Sequence, residues 1–423
     1  MPRKKKVESV AEMEEKDRAR GIVQKSLLDL ILEERERGEK TIQSMLSVRP
    51  PEDQWRGLIA LPPGTLVEDV VSEFDAKSNI PLEIPFFTFF HYVASHLLYH
   101  GITLKVNNTI IRPDIWTVLL ADSGAGKTFA TKQLQLGIPE LKDLSYDIGG
   151  IASTAKFVEI LHDNNNKLFF RDEFAEMYHQ IKNAIGPLAE MKDTLLRLYN
   201  KDTISRNTKK EDISIVDAAI VFLAVTVKEA LSDELTAQDM INGFAQRFSF
   251  IIAPKDLKKD FIDYPLWEID VHGWQEKWKK LISSINYKEY IAAPNSVDAF
   301  KTTFRMLVNR QLDESFYRRQ LWKAHKYALI YHILLGRGDK QLVESDCYGW
   351  AARLVHMLIY DCLQLLKDHG LSELEDKIQR VEKLQKRLEV KDIKMTPRLI
   401  VQNINKIKTV AEAKAIFDLV QHS

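Results

Sequence analysis

The sequence predicts an α/β fold, and two patterns carry that prediction. From residue 115 onwards, short apolar runs alternate with longer stretches of helical spacing. Runs that are apolar on both faces are typical of buried strands in a sheet that helices cover. The residues before 63 and after about 265 instead read as mainly helical. The four predicted strands are Ile115–Leu120, Lys167–Phe170, Ala218–Val225 and Phe248–Ile252.

The composition is that of a soluble globular protein. The 423 residues are enough for two or three domains, and 45% of them are hydrophobic. Mainly disordered chains, collagens and small disulfide-stapled scaffolds are therefore excluded. The 60 basic and 60 acidic residues balance, which argues against a uniformly basic surface but allows a local basic channel. Cys347 and Cys362 lack metal or redox spacing, so we expect two buried free thiols.

Residues 1–62 predict a charged helical region and a proline-marked linker, without the apolar stretch of a signal peptide. Packing on the protein's own body and assembly with other copies explain its apolar stripe equally well. The longest uncharged run, Ile84 to Leu104, contains three histidines, Pro85 and Gly101, which favours a buried helix over a membrane span. We therefore expect a cytoplasmic protein with no membrane partner.

Several elements are predicted ahead of the first central strand. A helix is expected over Thr65–Phe74, with Thr65 as its N-cap, and a second, buried helix over Phe86–Tyr99. Two short runs, Ile102–Val106 and Thr109–Arg112, are joined by two asparagines, which predicts a β-hairpin.

A phosphate-binding loop follows the first central strand. Residues 121–128 read Ala-Asp-Ser-Gly-Ala-Gly-Lys-Thr, the P-loop pattern with alanine in place of its first glycine. Small residues let successive backbone N–H groups wrap phosphates at the start of a helix. Lys127 is predicted to reach the β- and γ-phosphates, and Thr128 to ligate Mg²⁺. ATP and Mg²⁺ are thus the expected cofactors, and the predicted loop residues are Ser123, Gly124, Ala125, Gly126, Lys127 and Thr128.

A second strand ends in two acids, Asp172 and Glu173, and Asp172 lies 45 positions after Lys127 (172 − 127). In a P-loop ATPase such an aspartate holds Mg²⁺, and the following glutamate polarises the attacking water. A solvated charge pair at an ordinary strand end would look the same in isolation. The spacing after a P-loop favours the catalytic interpretation.

Two further polar residues flank the last two strands. Thr226 ends the third strand, where it could touch the attacking water or the γ-phosphate, or cap a helix over Lys228–Leu231. Arg247 precedes the fourth strand, where an arginine can stabilise transition-state charge in a neighbouring subunit's site. A surface salt bridge explains Arg247 equally well.

Taken together, the motifs resemble the AAA+ ATPases, and more closely the helicase-type ATPases of phages and mobile genetic elements that are linked to primases. The resemblance covers about residues 61–331. It rests on the lead-in Pro81–Tyr99, on Arg112–Trp116, on the P-loop, on the Asp-Glu strand and on Gly-Phe-x-x-Arg-Phe at 243–248. The last motif is also similar to the arginine finger of the replicative MCM helicases, with Arg247 at the matching position.

This resemblance implies an AAA+ three-layer core over residues 63–262 and a helical lid over 263–370. The family places an arginine in the lid against a phosphate, and Lys326 holds the matching place here, with Arg318 and Arg319 nearby. Residues 371–423 predict short helices that form either a winged-helix-like unit or a plain helical bundle.

The resemblance also implies a contact with DNA. Residues 203–215 read as a β-hairpin with an Asn-Thr-Lys-Lys tip, and in these helicases a hairpin at this place projects into the channel of a ring. Lys209, Lys210 and Arg206 are then candidates for contacts with the phosphate backbone of single-stranded or forked DNA. Lysines that serve solubility explain the tip as well, and the neighbouring acids argue mildly against DNA.

The sequence therefore predicts an ATP-hydrolysing replicative DNA helicase or translocase of a phage or mobile element. The resemblance implies a homo-oligomeric ring, with a hexamer favoured, and a primase on a separate chain. Two alternatives share the same ATPase core: an ATP-dependent protein remodeller or loader, and a DNA-binding replication initiator that uses ATP as a switch.

Overall fold

The computed structural model describes residues 64–422, with gaps at 148–152, 184–185, 208–211, 233, 236–242, 255–258, 260–265, 295, 297, 299–313, 390–393, 405–406 and 408. The predicted N-terminal region, residues 1–62, lies outside the described residues. The described residues up to Gly370 form one compact unit, and those from Leu371 onwards belong to a second.

Two helices open the larger unit. Helix α1 covers Leu66–Lys77 and is capped as predicted by Thr65, whose Oγ1 accepts a hydrogen bond from the Glu68 amide at 3.4 Å. Helix α2 covers Glu83–Tyr99 and is buried along almost its whole length, because its residues are apolar on every side. Strands β1 (Thr103–Val106) and β2 (Thr109–Ile111) then form the predicted antiparallel hairpin.

Strands and helices alternate in the part of the chain that follows, as the apolar runs predict. The elements are β3 (Trp116–Leu120), α3 (Lys127–Gly137), β4 (Ser145–Asp147), α4 (Thr154–Asp163), β5 (Leu168–Arg171), α5 (Phe174–Lys182), α6 (Met191–Asn200), β6 (Ile204–Asn207), β7 (Asp212–Ile215), β8 (Val221–Thr226), α7 (Lys228–Ser232) and β9 (Ser249–Ile252). Short 3₁₀ turns cover Pro139–Lys142, Gly186–Leu188 and Ala245–Arg247.

Five of these strands form a parallel central sheet in the order β4-β5-β8-β3-β9. All four predicted strands are confirmed, with small shifts at their ends. Strand β4 was not predicted, because its three residues are polar or aromatic and half-buried or exposed at the sheet edge. The strands are parallel, so their carboxyl ends share one edge, where the P-loop, the acid pair and Thr226 meet.

A second, smaller sheet corrects the expectation that the chain is helical after residue 265. Strand β1 pairs in parallel with β10 (Glu289–Ala292), β10 pairs with β11 (Leu342–Val343), and the sheet order is β11-β10-β1-β2. Residues of β10 alternate between buried and half-buried, as expected of a strand with one face covered, but the strand is only four residues long. The elements of this region are α8 (Trp274–Ser283), β10 (Glu289–Ala292), α9 (Glu314–Leu334), β11 (Leu342–Val343) and α10 (Ser345–Glu389).

The second unit is a small helical arrangement. The last part of α10 is followed by α11 (Pro397–Asn403) and α12 (Val410–His422). Thr396 caps α11, because its Oγ1 accepts a hydrogen bond from the Leu399 amide at 3.4 Å. The described residues of this unit form helices and no strand, which fits the plain bundle. Its apolar core consists of Val381, Leu384, Leu388, Met395, Ile400, Ile404, Ile407, Ala413 and Ile416.

The two cysteines are both buried and free, as predicted. Over the part of the chain that the structure describes, none of the helices has the length and apolarity needed to cross a membrane.

Candidate functional site

The P-loop joins the end of β3 to the start of α3, and two of its glycines have left-handed backbones. Gly124 has φ 76° and Gly126 has φ 78°, a region that residues with a Cβ enter only with strain. Gly126 is also crowded, because a Cβ there would lie 2.5 Å from Ile80 Cδ1. This position thus requires glycine both for its backbone conformation and for the close approach of Ile80.

Lys127 folds back over its own loop. Its ammonium donates hydrogen bonds to the carbonyl oxygens of Ala121, at 3.1 Å, and Asp122, at 3.0 Å. Partial burial lowers the pKa of Lys127, while the Asp172 and Asp122 carboxylates oppose that shift. Phosphate oxygens carry charge and are stronger acceptors than these carbonyls, so a bound phosphate would compete for the same ammonium.

Thr128 and Asp172 bring the P-loop and the acidic strand together. Thr128 Oγ1 donates a hydrogen bond to Asp172 Oδ2 at 3.2 Å, although the residues are 44 positions apart. A hydroxyl and a carboxylate are the hard oxygen ligands that Mg²⁺ prefers, and this ion takes its other ligands from phosphates and water. The pair therefore fits the predicted Mg²⁺ site. A cluster of three or more His, Cys, Asp or Glu suited to a metal does not occur among the described residues.

Glu173 has an unusual backbone for its residue type. Its φ is 52°, a left-handed conformation that costs energy in a residue with a side chain, and its amide donates to Asp172 Oδ1 at 2.8 Å. Its side chain is exposed and lines the same pocket as the P-loop. This turn accompanies the Asp172–Thr128 contact and leaves Glu173 as an exposed residue of the pocket.

Thr226 ends β8 between the P-loop strand and the acidic strand. Its Oγ1 accepts a hydrogen bond from the Ala175 amide at 3.3 Å, so the hydroxyl caps the start of α5 and not the 228–231 helix that the sequence suggested. The residue is buried and lines the pocket. Thr226 thus lines the same pocket as the P-loop, and its predicted contact with water or the γ-phosphate stays a prediction.

These residues surround one open pocket of about 590 Å³. The P-loop, the acid pair and Thr226 all line it, so the structure brings together the predicted residues of the sheet edge. Six lining residues were not predicted to line a site: Phe129, Ala175, Glu176, Val227, Ala230 and Trp267. Phe129 directly follows Thr128 and could have been found from the motif. Trp267 has no motif spacing, because only tertiary packing brings it there.

Arg247 and Lys326 lie at the opposite edge of the sheet, where β3 and β9 begin. Arg247 is buried and donates to the carbonyl oxygen of Gly243 at 2.6 Å and to Asn200 Oδ1 at 3.3 Å. Burial lowers the pKa of its guanidinium, and Arg319 lowers it further. Lys326 is buried against Asp114, with Nζ 3.1 Å from the carboxylate. Neither side chain lines the pocket of its own chain.

The predicted DNA-contacting hairpin is present as the antiparallel pair β6–β7. Arg206 lies on β6, and its Nη1 is 3.8 Å from Glu190 Oε2. Lys209 and Lys210 lie outside the described residues, so their predicted contact with DNA stays a prediction.

Neither the models of known protein families nor the curated proteins give a match to this chain.

Proposed function

We propose that the chain is an Mg²⁺-dependent ATPase with an AAA+ core that acts as a ring-forming replicative DNA helicase or translocase of a phage or mobile element. One observation carries the ATPase part: the P-loop, the Thr128–Asp172 pair, Glu173 and Thr226 line a single pocket. A chance P-loop in a surface turn would not be expected to meet an acidic strand end and a buried polar strand tip.

Each residue has a distinct part in the proposed reaction. The P-loop amides and Lys127 bind the phosphates. Thr128 and Asp172 would hold Mg²⁺, and the ion would neutralise charge that develops on the phosphates. Glu173 accepts hydrogen bonding from the attacking water and positions it on the γ-phosphate. Thr226 supports this geometry, since its hydroxyl fixes the start of α5 directly after Glu173.

Arg247 bears on the proposed assembly of several copies, although it is buried and donates hydrogen bonds within its own chain. Because it lies at the strand-start edge of the sheet, it is poorly placed to serve the pocket at the strand-end edge of its own chain. A catalytic function of Arg247 therefore requires a neighbouring copy whose pocket faces it, as a ring provides. Lys326 lies at this same edge, but it is buried and its Nζ is 3.1 Å from the Asp114 carboxylate, so the phosphate contact expected of Lys326 is not part of this proposal.

The motor part of the proposal is carried by the hairpin. Strands β6 and β7 pack against α4 and α6, which gives the hairpin a fixed base in the ATPase unit. Lys209 and Lys210 lie between the two strands in the sequence, and their positive charge suits contact with a phosphate backbone. Single-stranded or forked DNA is the proposed partner, and a primase would be supplied by a separate chain.

The test is steady-state ATP hydrolysis with and without single-stranded DNA. We expect Lys127→Ala to abolish hydrolysis, and Glu173→Gln to lower kcat by about 10²- to 10⁴-fold while ATP still binds. The double change Lys209→Ala/Lys210→Ala should remove only the stimulation by DNA. Lys156→Ala, at an exposed lysine of α4 that pairs with Glu159, is the matched control and should change neither rate.

These measurements, together with assays of DNA binding and strand displacement, separate the alternatives. Hydrolysis that ignores DNA would contradict the motor and favour a protein remodeller. Slow hydrolysis with DNA binding but without directional strand displacement would favour an ATP-switched initiator. A wild-type chain that does not hydrolyse ATP would end the proposal.

A further inference from the structure

We infer that Trp267 and Phe129 form the nucleobase-binding side of the pocket, and that they select a purine nucleotide by aromatic contact. This inference rests on the proposed function, since it assigns the part of the substrate that the P-loop does not bind.

The topology leaves one flank of the pocket for the nucleoside. The acid pair and Thr226 end strands β5 and β8, which lie on one side of the P-loop strand β3. Strand β9 lies on the other side of β3, and Trp267 belongs to the segment that follows β9. The γ-phosphate must face Glu173 and the Mg²⁺ ligands for hydrolysis. The base then extends toward the opposite flank, which Trp267 and Phe129 line.

The two rings form a joint aromatic surface. Their centroids are 5.1 Å apart, and the rings meet edge to face at 65°. Phe129 is half-buried and directly follows the Mg²⁺ ligand Thr128, so this surface begins where the phosphate site ends. Trp267 is only 7% exposed and lines the pocket. A flat base would complete the burial of this indole ring.

The segment that carries Trp267 is fixed along the P-loop helix. A Cβ at Gly126 would lie 3.4 Å from Trp267 Cζ3, and one at Gly137, at the far end of α3, would lie 2.7 Å from Trp274 Cε3. The Asp270 amide donates to Glu73 Oε1 of α1 at 2.9 Å. The aromatic surface is thus preorganised, and binding a base costs little ordering of the protein.

Stacking on an aromatic side chain recognises ring area and not hydrogen-bonding edges. Purines offer more ring area than pyrimidines, so ATP and GTP should bind more tightly than CTP and UTP. Replacing an aromatic side chain that stacks on a base by alanine lowers affinity by on the order of 10-fold to 100-fold.

The experiment compares the affinities of Mg²⁺-ADP and Mg²⁺-pyrophosphate by calorimetry, because neither ligand is consumed by an ATPase. In Trp267→Ala we expect ADP affinity to fall about 10- to 100-fold and pyrophosphate affinity to stay within about twofold. Trp267→Phe should retain most of the ADP affinity. Trp322→Ala, at a tryptophan that is 42% exposed and does not line the pocket, is the matched control and should change neither affinity.

Other outcomes overturn the inference in distinguishable ways. If Trp267→Ala weakens ADP and pyrophosphate equally, the indole merely braces the P-loop. If it changes neither while wild type binds ADP, the base lies elsewhere and the ATPase proposal stands. If wild type binds neither ligand, the ATPase proposal itself fails.

Discussion

At the scale of single residues, Gly126 is a P-loop position where a side chain is costly. A side chain there meets two costs: the left-handed backbone, and close contact with the buried Ile80 side chain. We expect Gly126→Ala to lower the free energy of unfolding by more than the 1–2 kcal/mol or so of a left-handed backbone. We also expect ADP affinity to fall by at least about tenfold, since the loop amides would lose their arrangement.

Gly273 provides the matched control for Gly126. It has the same φ of 78°, but a Cβ there would have open space around it. Gly273→Ala should therefore carry only the backbone cost and leave ADP affinity unchanged. Urea unfolding and ADP titration of both variants measure the difference. Equal losses of stability and unaltered ADP binding in both would show that the contact with Ile80 is unimportant.

The buried carboxyl group of Asp361 predicts how the stability of the fold depends on pH. Burial raises the pKa of this carboxyl to about 8, although its Oδ2 accepts the Ile252 amide hydrogen bond at 2.9 Å, and Glu83 raises the pKa further while Lys228 opposes it. Between pH 4 and pH 8, roughly, the folded state keeps a proton that the unfolded chain releases. The contribution of Asp361 to stability is therefore fully present at low pH and is lost as pH rises to about 8.

Asp361→Asn should remove this loss, because the amide cannot ionise and its oxygen still accepts the Ile252 hydrogen bond. The stability of the variant relative to wild type should rise with pH by up to about 1.4 kcal/mol per pH unit across that window. Urea unfolding of both proteins at pH 5, 7 and 9 measures it. A stability difference that is independent of pH would rule out a raised pKa.

At the scale of elements, local pattern predicts the central sheet well and the small sheet poorly. Strands β3, β5, β8 and β9 are apolar runs bounded by polar residues, so the sequence identifies each of them by itself. Strand β10 becomes a strand by pairing with β1, about 185 positions away, and its four residues are too few for a pattern. Trp267 could not be predicted for the same reason: its contact with Phe129 joins residues 138 positions apart (267 − 129).

The contact between α3 and the segment after β9 also depends on a glycine. Gly137→Ala would place a methyl 2.7 Å from Trp274 Cε3 and 2.8 Å from Val271 Cβ, and Trp274 is buried. We expect this overpacking to cost about 1–3 kcal/mol of unfolding free energy. It should also weaken ADP binding, because the displaced segment carries Trp267.

Gly349→Ala tests the same substitution where there is room. Gly349 lies inside α10, and a Cβ there meets nothing within 4 Å. The variant should gain about 0.5–1 kcal/mol, since alanine favours the helix over glycine. Thermal unfolding and ADP titration compare the two variants. If Gly137→Ala is as stable as Gly349→Ala, the segment after β9 accommodates the added methyl group without loss of unfolding free energy.

At the scale of the whole molecule, the two units have separate apolar cores. The larger core surrounds the central sheet and α2, and the smaller one lies within the unit that begins at Leu371. All seven tryptophans lie between residues 55 and 350, so tryptophan fluorescence reports only on the larger unit. Circular dichroism reports on the helices of both. The two signals can therefore follow the units separately in the full-length chain.

Ligand binding should act on these two signals differently. The proposed nucleotide pocket is lined entirely by residues of the larger unit, so Mg²⁺-ADP stabilises that unit by mass action. At 100 times its dissociation constant the gain is about 2.7 kcal/mol, which raises the temperature of the fluorescence transition by several degrees. The part of the circular dichroism change that comes from the second unit should keep its temperature. Equal temperature shifts of both transitions would mean that the two units unfold as one. The Lys127→Ala variant should show no temperature shift on adding Mg²⁺-ADP, which would confirm that the effect comes from the pocket.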